Sequence, residues 1–446
     1  MAKFHATTQS VFDRVSEQIF NSLHQGEEVT LNLHAEDSLF VRFNGNRVRQ
    51  NTHVEQRSLN LILQKDHKTA NYTFSLSGQP TEDLKRAEHW LNQARRECDL
   101  LPEDPFQTPV KNNGQSQITL SGRLLPDEEV VPQITSAAQG SDLAGLYCAG
   151  PLISANKNSQ GQSHWFANEN FFMDYSLYHG PKAAKSVYAG TEWSQHVFLE
   201  NLTQTRYQLA LLQRPPITLK PGAYRTYLAP GAVAELTSVF SWDALSFGSF
   251  KQGNSPLHKL AHGEASLSPL FSMQENFALG LAPRFNSLGE LTTESTDLVR
   301  EGRLKTLLIS TRSAQEYGVE TNKAELGEAP RSLEVLPGTL SKSSIPQELG
   351  TGLYLSNLHY LSWSDRMNAR LTGMTRYACF WVENGEIVAP IADLRFDDSL
   401  YDCLGSNLVA VTDFQEVDPM VLTYEKRAFG GRKVPGLLID NFKFTL

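Results

Sequence analysis

The sequence predicts an α+β protein: an N-terminal antiparallel sheet with flanking helices, followed by a β-rich, barrel-like C-terminal half. Three observations carry that reading. The first hundred residues place four strand-like runs between two amphipathic helices. A Pro-rich stop at Arg214-Pro215-Pro216 marks a change of texture. Beyond residue 266 the chain is mostly short β-prone runs separated by turn residues. At about 150 residues per domain, 446 residues make two or three domains. The boundary is placed at 217, with an N-terminal α+β domain over 1–216 and a β-rich domain over 217–446.

The elements follow in order. Residues 7–24 form a helix with Val11, Val15, Ile19, Phe20 and Leu23 on one face and Gly26 as the stop. Runs at 29–34, 39–43, 57–64 and 70–76 read as strands, with a turn at Asn44-Gly45-Asn46. Residues 81–98 form a second helix striped by Leu84, Ala87, Trp90, Leu91 and Ala94, with Thr81 as its expected cap. An irregular connection fills 101–127, and a helix is expected at 128–139. A strand pair broken at Gly150-Pro151 is expected over 144–156. Aromatic-rich strands follow at 165–178 and 183–190, then a helix at 197–212 with Leu199, Leu202, Tyr207 and Leu211 inward.

Residues 218–228 read as a strand. A helix over 230–246 turns Leu236, Phe240 and Ala244 (or Trp242 and Leu245) inward, and 247–254 reads as irregular. Strands are expected at 304–309, 352–358, 408–411 and 436–444. The most orderly stretch spans 376–396. Runs rich in β-branched and aromatic residues flank Asn384-Gly385, which tolerate the φ > 0 of a type I′ turn. Both faces of this hairpin are apolar, so it should be buried on both sides, with Pro390 at an edge or bulge.

Composition excludes several classes. The formal charge of −9 argues against a general nucleic-acid surface, which would be basic. No run approaches the ~20 apolar residues of a membrane span. The N-terminus lacks the apolar core of a signal peptide, and the four scattered cysteines show no CxxC spacing. A cytoplasmic protein with reduced thiols is expected. Nucleotide-binding glycine motifs and a G-x-S-x-G elbow are absent. His258, His262 and Glu264 are the nearest approach to a metal set, because histidines four apart share a helix face. Gly253, Pro256 and Gly263 around them favour a polar surface loop instead. Asp397-Asp398 and Asp413 with Glu416 read as solvated turn carboxylates, and 429–433 (FGGRK) as a flexible basic turn. The residues alone show no active site.

The hairpin and its surroundings resemble a known family. FWVENGEIVAPIADLRF, the later Asn407-Leu408-Val409-Ala410, the stretch Phe285 to Gly289 with Thr292, Gly302-Arg303-Leu304-Lys305, and the ending Val434-Pro435-Gly436-Leu437-Leu438-Ile439 are similar to the TldD/PmbA (modulator-of-gyrase) family. The likeness is nearer to its PmbA/TldE branch. That resemblance implies a metallopeptidase assembled from two related subunits. The TldD-type subunit carries H-E-x-x-x-H on a helix, and a later cysteine completes its zinc site. Aligned on Leu228-Ala229-Pro230-Gly231-Ala232, the motif falls on Ser238 to Asp243. Ser238 and Asp243 stand for the histidines, Val239 for the general base, and no cysteine follows Cys403.

The resemblance therefore implies a subunit without a catalytic metal of its own, so that no catalytic, cofactor-binding or metal residue is assigned. Zinc is expected in a TldD-like partner, with unfolded peptide as substrate and neither membrane nor nucleic acid as a direct partner. The alternatives are a non-proteolytic homodimeric binding or structural protein, and an independent hydrolase using His258, His262 and Glu264.

Overall fold

The computed structural model describes residues 2–445. Its first half contains α1 (Ala2–Asn21), β1 (Glu28–Asn44), β2 (Arg47–Lys65), β3 (Lys68–Leu76) and α2 (Pro80–Cys98). Then come β4 (Gln115–Leu120), α3 (Asp127–Ala137), β5 (Asp142–Asn158), β6 (Ser163–His179), β7 (Lys182–Gly190) and α4 (Gln195–Leu212). The strands form one sheet in the order β3-β2-β1-β5-β6-β4, with β7 on the rest of β6's outer edge. All pairings are antiparallel except β4 with β6.

The period of two decides what this sheet faces. On β1, Leu31, Leu33, Ala35, Leu39, Val41 and Phe43 alternate with Asn32, His34, Glu36, Ser38 and Phe40. The apolar set packs under α1 and α2 at one end and α3 and α4 at the other. All four helices thus share one face. The opposite face is polar yet largely covered: Glu36, Ser38, Asn156, Asn158, His164 and Asn168 are buried. It turns towards the second half of the chain.

Local structure departs from the sequence reading where two runs join. Runs 29–34 and 39–43 are one strand, β1, because its ladder with β2 continues through Glu36, Asp37 and Ser38. Three long strands therefore stand where four were expected. β5 is also continuous. Gly150 adopts φ 138° and Pro151 lacks an N–H, but both sit where the β1 ladder skips, between the Glu36–Leu152 and Leu39–Ala149 pairs. Residues 115–120 of the supposed connection form β4, an edge strand. In α2 the first helical residue is Pro80, after Gln79, and Thr81 is not the cap. Instead the buried Asp83 carboxylate accepts from the backbone N–H groups of Ser77 (2.7 Å) and Gly78 (2.8 Å). On α4, Phe198, Leu202, Thr205, Leu211 and Leu212 are buried, whereas Leu199 and Tyr207 are exposed. Leu202 and Leu211 fit the expected face and the other two do not, because Phe198 and Thr205 set its centre.

The second half begins with β8 (Gly222–Leu228), α5 (Pro230–Ser238), α6 (Phe247–Lys251) and α7 (His258–Ala261). It continues with β9 (Met273–Asn276), β10 (Ser295–Arg300), β11 (Arg303–Leu304), α8 (Thr311–Tyr317), β12 (Ser332–Val335) and α9 (Ile345–Leu349). It ends with β13 (Gly352–Asp365), β14 (Arg370–Glu383), β15 (Glu386–Pro390), β16 (Arg395–Ser399), β17 (Leu408–Pro419) and β18 (Gly431–Phe444). β8 pairs parallel with β13 and antiparallel with β18, so β8, β13, β14, β16 and β18 close into a barrel. β12, β9, β10 and β11 extend outward from β18. α5 adds Ala232, Val233 and Leu236 to the barrel's core.

The hairpin at β14–β15 is as the alternation requires. Asn384 (φ 51°) and Gly385 (φ 82°) make the turn, and Pro390 lies on β15, which pairs with β14 off the main strand order. Cys379 packs into the barrel core, while Ala378 and Phe380 join Ala184, Leu211 and Leu212 of the first half. β14 is buried on both faces because it is sandwiched between two cores, whereas β15, at the edge, leaves Glu386 and Val388 exposed, so burial of the whole hairpin is not realised. The run 395–399 is a strand, not a turn. Asp398 is buried there against Lys443 (3.3 Å), and Asp397 pairs with Arg370 (2.6 Å).

The turn after α1 is tied to α2 by an ion pair with a pH signature. Buried Glu27 takes a forked contact from Arg95 (2.9 and 2.8 Å) and the backbone N–H of His24 (2.8 Å). Burial alone would raise its pKa, but the Arg95 and His24 contacts outweigh it and hold the carboxyl below the usual range. A lowered native pKa adds stability above the unfolded value of about 4.3, and that stability is lost as pH falls through the native pKa. The urea midpoint is therefore expected to fall between pH 5 and pH 3, and less so in Glu27→Gln. Parallel pH profiles for the two proteins would contradict the assignment.

Candidate functional site

A cleft of about 640 Å³ separates the polar sheet face from the loops of the second half. Asn32 and His34 of β1, Ser58 and Asn60 of β2 and Ser154 of β5 form its floor. Phe285, Ser287, Glu325 and Arg331 form one wall, and the strap 420–430 with the start of β18 forms the other. Ser241, from the single 3₁₀ turn after α5, reaches the edge.

Two devices hold the halves in register around this space. The first is the loop 280–291. Asn168 donates to the Gly280 carbonyl (2.8 Å), Asn156 to that of Ser287 (3.1 Å) and Gln162 to that of Leu288 (3.0 Å). His164 stacks on Phe285 with centroids 5.3 Å apart. Its Nδ1 meets the Ser116 hydroxyl at 2.8 Å, and burial lowers its pKa. The second is Arg427 on the strap, only 2% exposed. Its guanidinium donates to Ser38 Oγ (3.2 Å), the Gly150 carbonyl (3.2 Å), the Asn170 carbonyl (3.4 Å) and Asn170 Oδ1. Its backbone N–H donates to Glu36 Oε1 at 3.1 Å.

The electrostatics of the cleft are set by burial. Arg331 donates to the Phe285 carbonyl (2.7 Å) and lies over the Phe277 ring. Burial lowers its pKa while the neighbouring Glu275 and Glu325 oppose the shift. His34 lies edge-on to Phe429, with centroids 6.1 Å apart. Burial, aided by the charge of Lys426, pushes its pKa down to about 4, so the ring is neutral near pH 7. Its Nε2 is buried without a hydrogen-bond partner.

The segment matched to the zinc-binding helix behaves differently from the sequence expectation. α5 stops at Ser238, and Val239–Ser241 make a 3₁₀ turn rather than continuing a helix to 246. Asp243 lies beyond, at φ 64°, with its carboxylate 3.2 Å from Arg366. Val239 is buried in the core and Ser238 is half-buried. Ser238, Val239 and Asp243 are thus not brought onto one helical face, and they do not fit a zinc ion: two carry no imidazole or carboxylate, and the third is held by a cation.

His258 opens the short α7 and His262 caps its end, with ring centroids 4.2 Å apart, and both lie against Phe250. His262 Nδ1 contacts the His258 carbonyl at 2.9 Å. Among the described residues no group of three or more His, Cys, Asp or Glu side chains is placed to hold a metal ion. The run 247–254, expected to be irregular, contains α6, capped by Ser246 on Ser249 N–H (3.0 Å). Burial raises the Cys403 thiol pKa well above its usual value.

Sequence reasoning missed His34, Arg331 and Arg427. One signal was available. The alternating positions of VTLNLH and its partner strands carry Asn and His rather than Lys and Glu, which suits a covered polar face better than a solvated one.

Known proteins share this arrangement. The family profile described as the PmbA/TldA metallopeptidase C-terminal domain matches residues 221–446, just over half of the chain. Metalloprotease PmbA of Escherichia coli O157:H7 is 30% identical over 128 residues, 28% of this chain and 27% of that protein. A PmbA homologue of Haemophilus influenzae is 30% identical over 130 residues, 29% of this chain and 27% of that protein. The match thus spans about a quarter of the length of these relatives. The fold of TldE from Thermococcus kodakarensis superposes with a TM-score of 0.77 at 14% identity, covering 99% of this chain and all of that one. A Thermotoga maritima protein described as a modulator of a DNA gyrase gives 0.75 at 16% identity over 98% of this chain and all of that one. The profile match, joined to the closed barrel and the polar sheet facing it, establishes that the chain belongs to the TldD/PmbA family.

Proposed function

We propose that this chain is a PmbA/TldE-like subunit of a two-subunit zinc metallopeptidase and that a TldD-like partner supplies the metal. The observation that carries the reading is the end of α5. The family's zinc-motif positions fall on Ser238, Val239 and Asp243, which provide no ligand set and leave the helix before it could align one. The contribution of this chain is a polar wall against which an extended peptide hydrogen-bonds, the amides and hydroxyls of Asn32, Ser58, Asn60 and Ser154 accepting and donating without regard to side-chain identity. No helix among the described residues is long and apolar enough to cross a membrane, and we place the subunit in the cytoplasm. Metal analysis of the purified chain is expected to find substoichiometric zinc, and addition of a TldD-type chain to give zinc-dependent peptidase activity. One tightly bound zinc per chain would overturn the proposal.

The exposed Val197, Leu199 and Tyr207 of α4, with Val388 of β15, support a second reading: a non-proteolytic homodimer. Recovery of only the chain itself from native cells, with no histidine-motif relative, would favour it.

A further inference from the structure

We infer that the cleft recognises a carboxylate of a bound peptide, an acidic side chain or the free C-terminus, with Lys426 as the anchoring cation. The inference rests on the peptide-binding role proposed above and assigns its substrate class. Three basic side chains, Arg331, Lys426 and Arg432, line the cleft against one acidic one, Glu325, in a chain whose formal charge is −9. Most of these charges are already engaged. Glu325 accepts from the Ser287 N–H (3.0 Å) and its hydroxyl. Arg331 is spent on the Phe285 carbonyl. Arg432 donates to the Ala234 carbonyl (2.6 Å) and lies 3.5 Å from Asp418.

Lys426 is different. Its side chain is exposed, lines the cleft, and pairs with no carboxylate among the described residues. It is carried on the strap one residue before Arg427, whose four acceptors fix the strap backbone, so the ammonium is presented from an ordered base. The floor beneath is neutral and polar. His34 lines that floor as a neutral ring, its Nε2 buried. A single unengaged cation above a neutral polar floor suits a carboxylate better than a neutral amide.

The test uses the full-length chain alone and three N-acetylated pentapeptides of alanine, the first two also amidated at the C-terminus. One has a central glutamate, one a central glutamine, and one a free C-terminal carboxylate with no acidic side chain. At low salt at least one carboxylate peptide is expected to bind about tenfold more tightly than the glutamine peptide, the worth of one charge-assisted contact. That preference should vanish in Lys426→Ala and reverse in Lys426→Glu. The arm that shows the preference identifies the source of the carboxylate. Equal affinity for all three peptides, no binding up to millimolar peptide, or an unchanged preference in Lys426→Ala overturns the inference. Because Lys426 is exposed, both variants should keep the wild-type urea midpoint. No hydrolysis or metal is read out, so a negative result leaves the subunit proposal standing, and stoichiometric zinc would sink that proposal without touching this one.

Discussion

Replacing Arg427 by Ala is expected to lower the unfolding free energy by about 3–5 kcal/mol, among the largest effects of any single substitution in this chain. The side chain is buried and its donors meet Ser38 Oγ, the Gly150 carbonyl and both oxygens of Asn170, all on the first sheet, while its own backbone belongs to the strap between β17 and β18. Truncation leaves acceptors without donors in a site too tight for ready hydration. Each orphaned group costs about 1–3 kcal/mol, and the lost packing against Phe172 adds to it. Arg427→Lys should recover only part of the loss, because one ammonium cannot span acceptors arranged for a planar fork. A useful contrast is Arg312→Ala, which removes a partly exposed pair with Asp104 and should cost less than about 1 kcal/mol. Urea titration separates these values. Equal midpoints for Arg427→Ala and Arg312→Ala would contradict the clamp. Loosening of the strap should also appear as faster protease cutting within 420–430.

The fold was largely legible because its patterning is strong. The 3.6 period of α1 and α2 and the period of two in β1, β2, β5 and β6 are carried by long elements, and the Asn384-Gly385 turn states its own backbone geometry. Element joints were less legible. Residues 29–34 and 39–43 were separated by Ala35, Glu36, Asp37 and Ser38, whose polar character reads as a break. In the structure Glu36 and Ser38 point at Arg427, so their polarity serves a partner nearly 390 residues away in sequence. The same reason hid Asp398, a carboxylate that looks solvated until Lys443 is brought beside it by the closing of the barrel. The site was hidden more completely. A cleft built from scattered residues of β1, β2, β5 and three loops has no local motif, so nothing in the sequence pointed to it. What the resemblance located was α5, and there the informative feature is structural: the helix ends before Asp243, so restoring histidines at Ser238 and Asp243 would not by itself rebuild a ligand set.

Gly150→Ala is the second large effect, and it tests whether the strap and the sheet are one mechanical unit. Gly150 has φ 138°, a conformation that L residues rarely adopt, and a Cβ there would overlap the Asp37 carbonyl oxygen across the β1–β5 pair. The obstacle is backbone on both sides, so it cannot be relieved by a rotamer change. A cost of about 4 kcal/mol is expected from the combined conformational penalty and overlap. Gly140→Ala, at φ 78° with nothing within 4 Å, carries the conformational part alone and should cost about 1–2 kcal/mol. The kink at Gly150 also presents its carbonyl to Arg427. If the alanine variant shifts that carbonyl, Arg427 loses an acceptor, and Arg427→Ala made in the Gly150→Ala background should cost about 1–2 kcal/mol less than in the wild type. Strict additivity would mean that the kink serves the sheet only. A coupling of that size would mean that one unusual backbone conformation in the first sheet sets where the strap lies, and with it the position of Lys426 over the cleft.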